Sequence, residues 1–496
     1  MIRILYCFSL FILCACRPGQ QKVLSVFEGK ARINGPYVTG NYPGTPFLFA
    51  VPTAGERPVV WTAEGLPPGL QLDPATGFIT GMAKQEGVYT VSITAKNKLG
   101  RSTSVLTIKI DSVLALTPPM GWNSWNTFEE KISDSLIRAI ADAMVASGMR
   151  DLGYLYVNID DLWQLADRDE EGNMQADPVK FPEGIKAVAD YVHSKGLKLG
   201  IYSDASEKTC GGVAGSYGFE ERDARLFAEW GIDLLKYDYC GAPRVTDSAV
   251  ARYERMAKAL RNTGRSIVFN ICQWGAFNSR PWKWAAGIGG NYWRTTWDIR
   301  NTWVMRNDPG HCSIMDILDI NAPLGEFAGP GRWNDPDMLV VGINDPDATV
   351  TVSPDQGKPL TTIEQQSHMS LWCLMAAPLL CGNDIRSMDP ATKAILLNPE
   401  IIAINQDPLG KQAAIARKDS LAEILVKQLT GQSLAVGLLN RSGKPGVIKV
   451  SWKEMNISGP YMVYDVWRHR DVAQAEKFLE ATVPAHGCKV FKLTKK

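Results

Sequence analysis

Leu234-Leu235-Lys236-Tyr237-Asp238-Tyr239-Cys240 is the stretch that decides the fold. The apolar run Ile232 to Leu235 is too short for a helix and follows a helix-like segment ending at Trp230-Gly231, so it reads as a buried parallel strand. Such a strand delivers side chains at a fixed angle to its C-terminal tip, where α/β barrels and open α/β sheets hold their chemistry. Alternation puts Lys236 and Asp238 on one face. An ammonium beside a carboxylate keeps that carboxylate ionised, which suits a nucleophile and handicaps a general acid. The alternative is a buried Lys–Asp ion pair that only closes the strand.

On both sides of this stretch strands and helices alternate, the mark of a parallel α/β domain. Met120-Gly121-Trp122-Asn123-Ser124-Trp125 opens the series after the linker Leu116-Thr117-Pro118-Pro119. Ser133 to Ser147 reads as an amphipathic helix stopped by Gly148. Strands are expected at Tyr154 to Ile159, tipped by Asp160-Asp161, and at Lys198 to Tyr202, tipped by Ser203-Asp204. Helices are expected at Gly184 to Ser194 and Phe219 to Trp230. Further strands follow at Ser266 to Ile271 and Tyr292 to Thr295, then near Asp337-Met338-Leu339 and Ala377 to Leu380. Polar residues gather at the C-terminal strand ends, and eight units in roughly 285 residues match a (β/α)8 barrel. The barrel is assigned to residues 117–404.

The flanks have a different texture. From residue 23 to 113 the chain reads as a β-sandwich: Thr90 to Ala95 and Val105 to Ile110 alternate strictly around the turn residues Asn97 to Gly100. No acidic triad is visible there, so catalysis is not expected of this segment. From 405 to 496 short β runs return (Ala422 to Lys427, Ser433 to Leu439, Val447 to Ser451, Met462 to Val466, Cys488 to Leu493), which predicts a C-terminal antiparallel β-sandwich. A chain of 496 residues carries about three domains.

Lys and Arg total 53 against 52 Asp and Glu, a net charge of +1 without basic clustering, so nucleic acid is not an expected partner. The five histidines show no ligand spacing, and nucleotide-binding glycine motifs are missing, so neither metal nor cofactor is expected. Fifteen tryptophans suit stacking on the C–H faces of sugars, although each could equally be core filler. Met1-Ile2-Arg3 and the apolar run Ile4 to Ala15 form a signal-peptide-like leader, residues 1–16, too short to span a membrane. Its end, Leu13-Cys14-Ala15-Cys16, resembles a bacterial lipobox with Cys16 as the lipidated residue; ordinary cleavage nearby is the alternative. The expected location is the cell envelope of a bacterium, with the lipid anchor as the one membrane contact. Arg17 to Gln21 lacks acidic residues, which favours a periplasm-facing anchor over the cell surface. Seven cysteines remain beyond the leader, so at least one thiol is free.

A second carboxylate follows sixty residues after Asp238, in Trp293-Arg294-Thr295-Thr296-Trp297-Asp298-Ile299, just past a strand tip and beside aromatic bulk. One carboxylate paired with lysine and one near apolar rings suit a nucleophile and an acid/base with separated pKa values.

Six segments, in order, resemble the motifs of glycoside hydrolase family 27: Gly121 to Trp125, Asp160 to Trp163, Gly200 to Asp204, Lys236 to Cys240, Trp293 to Ile299 and Trp333 to Met338. That family comprises mainly α-galactosidases and α-N-acetylgalactosaminidases. The N-terminal segments Gly65 to Asp73 and Ala75 to Gly81 similarly resemble a bacterial immunoglobulin-like module. The family resemblance implies double displacement with retention on galactose-capped oligo- or polysaccharides, with Asp238 as nucleophile and Asp298 as acid/base. It implies Trp122 as an apolar wall against the sugar, Asp160 and Asp161 as acceptors from the 4- and 6-hydroxyls, Lys236 around O3 and O4, and Arg294 near O2. Tyr202 and Asp337 would complete the pocket, and Cys210 and Cys240 match a family disulfide. The chain departs from the pattern where Leu162 and Glu129-Glu130 replace both cysteines of another bridge. Gln273 stands where glutamate often reads the 2-position, and Trp297 where small residues are common. These departures bear on the sugar, so a β-L-arabinopyranosidase with the same mechanism is a second reading, and a catalytically dead carbohydrate receptor a third.

Overall fold

The computed structural model describes residues 27–345, 348–352 and 356–496, so the leader and Cys16 lie outside the described residues. The chain folds as an immunoglobulin-like β-sandwich, a (β/α)8 barrel and a C-terminal antiparallel β-sandwich.

The barrel strands are β1 (Met120–Asn123), β2 (Tyr156–Asn158), β3 (Lys198–Asp204), β4 (Leu234–Asp238), β5 (Val268–Ile271), β6 (Tyr292–Arg294), β7 (Trp333–Asp335) and β8 (Leu379–Cys381). They run parallel in chain order, with β8 returning beside β1. A parallel bridge between Leu339 and Cys381 closes the ring between β7 and β8. The seventh strand thus lies earlier than the expected Asp337 to Leu339. Asp337 and Met338 lie in the loop above it, Asp337 in the left-handed region (φ 78°), and Leu339 makes the closing bridge.

Alternation sorts the barrel. Leu234, Lys236 and Asp238 face inward while Leu235 and Tyr237 pack outward into the core shared with the helices. The helices form where expected. The first large one, Asp134–Ala146, is capped by the Ser133 side chain, which accepts from the Leu136 N–H, and it buries Leu136, Ile137, Ile140, Ala141 and Met144. Glu220–Trp230 ends on the left-handed Gly231, immediately before the chain enters β4.

The barrel floor is plugged by the residues that lead into the linker. Leu114 packs with Leu234, Val268, Tyr292 and Trp333, the first residues of four successive strands, and the Trp333 indole donates to the Ala115 carbonyl (2.7 Å). The immunoglobulin-like domain docks on this same end. Its core takes in Leu155 just ahead of β2, Arg57 pairs with Asp151 (2.6 Å), and the Tyr42 N–H donates to Ser266 Oγ ahead of β5 (2.9 Å). The expected hairpin is present as Gly87–Asn97 and Gly100–Ile110.

The C-terminal domain has a six-stranded antiparallel sheet and a two-stranded one closing over a separate apolar core. Three of its strands went unanticipated: Ala414–Lys418, Arg470–Ala475 and Phe478–Val483. Among the described residues no helix is long and apolar enough to cross a membrane.

Candidate active site

The C-terminal ends of the barrel strands enclose a cavity of about 260 Å³. Its closed end is charged and buried: Asp160, Asp161 and Asp238 are each at most 5 % exposed. Its open end carries Asp298, whose side chain is 56 % exposed, together with Trp274, Trp297, Arg300 and His311.

Asp238 ends β4. One carboxylate oxygen accepts from the Tyr239 N–H and the other from the Tyr202 hydroxyl, both at 2.9 Å. Tyr202 arrives from β3, whose register sets it against Lys236. Burial pushes the Asp238 carboxyl up to about 7, against the pull of the Lys236 ammonium and with a further push from Asp298. The expectation that Lys236 pairs with Asp238 is corrected here. Its Nζ lies 2.8 Å from Asp160 Oδ2, a carboxylate that also accepts from Asn123 Nδ2 (2.7 Å). Burial works against the lysine's charge, but Asp160 and its acidic neighbours hold it above the ordinary lysine range.

Asp161 accepts from the N–H groups of Gly211 (2.8 Å) and Leu162 (2.7 Å). Burial nevertheless raises its pKa, since the backbone donors only partly replace water. Gly211 lies so close that a Cβ there would meet Leu162 Cδ2 at 2.5 Å. Leu162, the residue standing in place of a family cysteine, therefore helps to set the loop that carries this donor.

Across the cavity, buried Arg294 at the end of β6 reaches both Asp298 (2.9 Å) and Asp337 (3.0 Å). Asp337 also accepts from the Ile299 N–H (2.8 Å), so it fixes the segment carrying Asp298 as well as the arginine. Cys210 and Cys240 are disulfide-bonded, their Cα atoms 5.1 Å apart. The bridge ties the loops after β3 and β4 beside Asp238. Asp204, Cys210, Asp238 and Cys240 converge closely enough to hold a cation. The bridge occupies both sulfurs, and Asp204 is engaged by Ser206 and the Cys240 N–H.

Asp160, Asp161, Tyr202, Lys236, Asp238, Arg294, Asp298 and Asp337 all line one cavity. Two expected residues do not. Trp122 is fully buried, packs against Phe128 and donates to the Asn383 carbonyl (2.8 Å). With Asn123 turned inward, Trp122 must face the helical layer, and Trp125 lines the cavity instead. Gln273 is likewise fully buried and is engaged by the Ser279 hydroxyl, while the neighbouring Cys272 and Trp274 face the cavity. Trp274, Arg300 and His311 went unanticipated. Only Trp274 had a signal, its place directly after Gln273 in the strand-tip segment Cys272 to Gly275.

Residues 117–407 match the family described as "Alpha galactosidase A", and 419–493 match "Alpha galactosidase C-terminal beta sandwich domain". The chain belongs to the α-galactosidase family. Residues 31–111 match "Putative Ig domain". Alpha-galactosidase 2 of Arabidopsis thaliana is 45 % identical over 77 % of this chain and 91 % of its own length. A crystal structure from Bacteroides fragilis, titled a "putative alpha-galactosidase/melibiase", is 52 % identical with a TM-score of 0.90, over 95 % of this chain and 99 % of that one. That likeness extends through the immunoglobulin-like domain. A β-L-arabinopyranosidase of Geobacillus stearothermophilus is 23 % identical with a TM-score of 0.66, over 77 % of this chain and 97 % of its own, a likeness of fold alone.

Proposed function

We propose that the chain is a retaining, exo-acting α-galactosidase that removes terminal α-galactosyl residues from oligo- or polysaccharides by double displacement. The observation that carries this reading is the polarity of the cavity: Asp238 lies in the closed, buried end and Asp298 at the open, exposed end. The sugar ring enters first, and its leaving group remains outside beside Asp298.

Asp238 attacks the anomeric carbon and Asp298 protonates the departing oxygen. Water then enters from the open side, Asp298 takes its proton, and the glycosyl–Asp238 bond breaks. Tyr202 and the Tyr239 N–H hold the nucleophile's two oxygens, so the attacking lone pair is aimed without rotation of the carboxylate. Asp160 and Asp161, with Lys236 between Asp160 and the cavity, offer charged acceptors and a donor to the ring hydroxyls. A site built of such groups discriminates strongly against a sugar whose hydroxyl is missing or inverted. The likeness of the barrel and C-terminal sandwich to α-galactosidases supports galactose over L-arabinopyranose as the sugar.

Proton NMR of the first-formed product tests the mechanism: an α-linked substrate should release the α-anomer first, and prompt appearance of the β-anomer would refute retention. A screen of nitrophenyl glycosides should place α-galactoside above β-L-arabinopyranoside in kcat/KM.

The lipobox further supports attachment through a lipidated Cys16 in a bacterial envelope, with the periplasmic side favoured. Mass spectrometry of the native N-terminus should find the lipid, and an unmodified mature terminus would remove this part of the reading.

A further inference from the structure

Trp297 is the one exposed tryptophan among the described residues, with 38 % of its surface open, whereas the other fourteen are buried or half-buried. It directly precedes Asp298 and lines the open end of the cavity. An exposed indole normally loses its apolar face to water and flexes. Here it is held from behind, because the Trp274 ring stacks on it with centroids 5.1 Å apart and an interplanar angle of 17°. Trp274 itself sits in the left-handed region (φ 64°) and is followed by Gly275 at φ 75°. The turn is thus shaped to put one indole behind the other.

The acid/base must touch the oxygen that joins the galactosyl ring to its leaving group. A rigid flat apolar surface next to that residue, on the open side, lies where the leaving group sits. We infer that Trp297, backed by Trp274, is a stacking platform for a leaving-group sugar, binding the C–H face of a pyranose in the position just beyond the scissile bond. The site is then tuned to galactosyl units borne on another hexose rather than on a small alcohol. This inference rests on the assignment of Asp298 as acid/base. The same platform would seat an acceptor sugar after the first step. The acceptor hydroxyl then bonds to the anomeric carbon as the glycosyl–Asp238 bond breaks, and its proton passes to Asp298.

The test compares methyl α-D-galactopyranoside, whose leaving group has no ring, with an α-galactosyl-glucose disaccharide. Trp297→Ala should lower kcat/KM on the disaccharide about tenfold, mainly through KM. The loss on the methyl glycoside should be several-fold smaller than that on the disaccharide, and Trp297→Phe should restore most of the disaccharide loss. Equal losses on both substrates, or no loss on the disaccharide, would overturn the platform. In the unaltered protein, added glucose should intercept the glycosyl-enzyme at far lower concentration than methanol does, and equal interception would also overturn it. An unaltered protein that cleaves neither substrate would instead overturn the functional reading itself.

Discussion

Asp238 must be an anion to attack, yet burial at the closed end of the cavity pushes its pKa up to about 7. Because kcat/KM reports the free enzyme, its acid limb should bend near pH 7 and fall about tenfold per unit below that. The same shift has a consequence for stability. The folded value lies above the ordinary aspartate value, so the native state keeps a proton that the unfolded chain gives up from about pH 4. Stability from this group therefore declines between about pH 4 and pH 7, and above that the full cost of a buried charge remains. Asp238→Asn should abolish turnover while raising thermal stability at pH 8, by something on the order of 4 kcal/mol, with the gain fading towards pH 4. Melting curves at both pH values check the sign. Asp298→Asn should spare substrates with good leaving groups and accumulate glycosyl-enzyme, which azide intercepts with retained α-configuration because it needs no general base. Gln273 supplies a contrasting case. Its side chain is spent on Ser279 and turned from the cavity, so Gln273→Glu should leave preference among sugars differing at C2 unchanged. Burying an extra carboxylate should lower the melting temperature instead.

At the scale of elements, the loops after β3 and β4 matter most, because the Cys210–Cys240 bridge joins them next to the nucleophile. It closes a loop of 30 residues, for which loop-closure entropy predicts about 3–4 kcal/mol. The double variant Cys210→Ser/Cys240→Ser should show that loss in denaturant melts and raise KM as the Gly211 donor to Asp161 loosens. Non-reduced peptide mapping of the parent should recover the two cysteines as one linked peptide. The strand β4 and its pocket-facing residues were legible from sequence because a short apolar run with a charged tip fits little besides a buried parallel strand. β7 was not, since Trp333-Asn334-Asp335 offers no apolar run: Asp335 faces the polar barrel interior, and Asn334 on the other face is held by Trp293, Leu324 and Gln412. The three missed sandwich strands have weak patterns for a related reason. Arg470–Ala475 is almost wholly exposed, so nothing in it needed to be apolar. Trp122 was misplaced although the rule that corrects it, alternation from inward Asn123, was available in the motif itself. Gln273 and Trp274 required the turn's left-handed backbone, which no period in the sequence encodes.

For the whole molecule, the floor of the barrel links the domains. Leu114 seals four strand starts although it precedes both linker and barrel, so where the chain is cut decides what survives. A truncation removing residues 27–111 keeps that plug and should lose thermal stability while keeping kcat near the parent value. One removing 27–116 also takes Leu114 and should melt earlier still, by an amount of the order of a buried leucine, about 2–5 kcal/mol. Thermal unfolding of the two, side by side, checks the order. The docking of the immunoglobulin-like domain on that floor has one more consequence. Sugar enters through the opposite end of the barrel, so anything that grips the immunoglobulin-like domain leaves the doorway to the cavity clear.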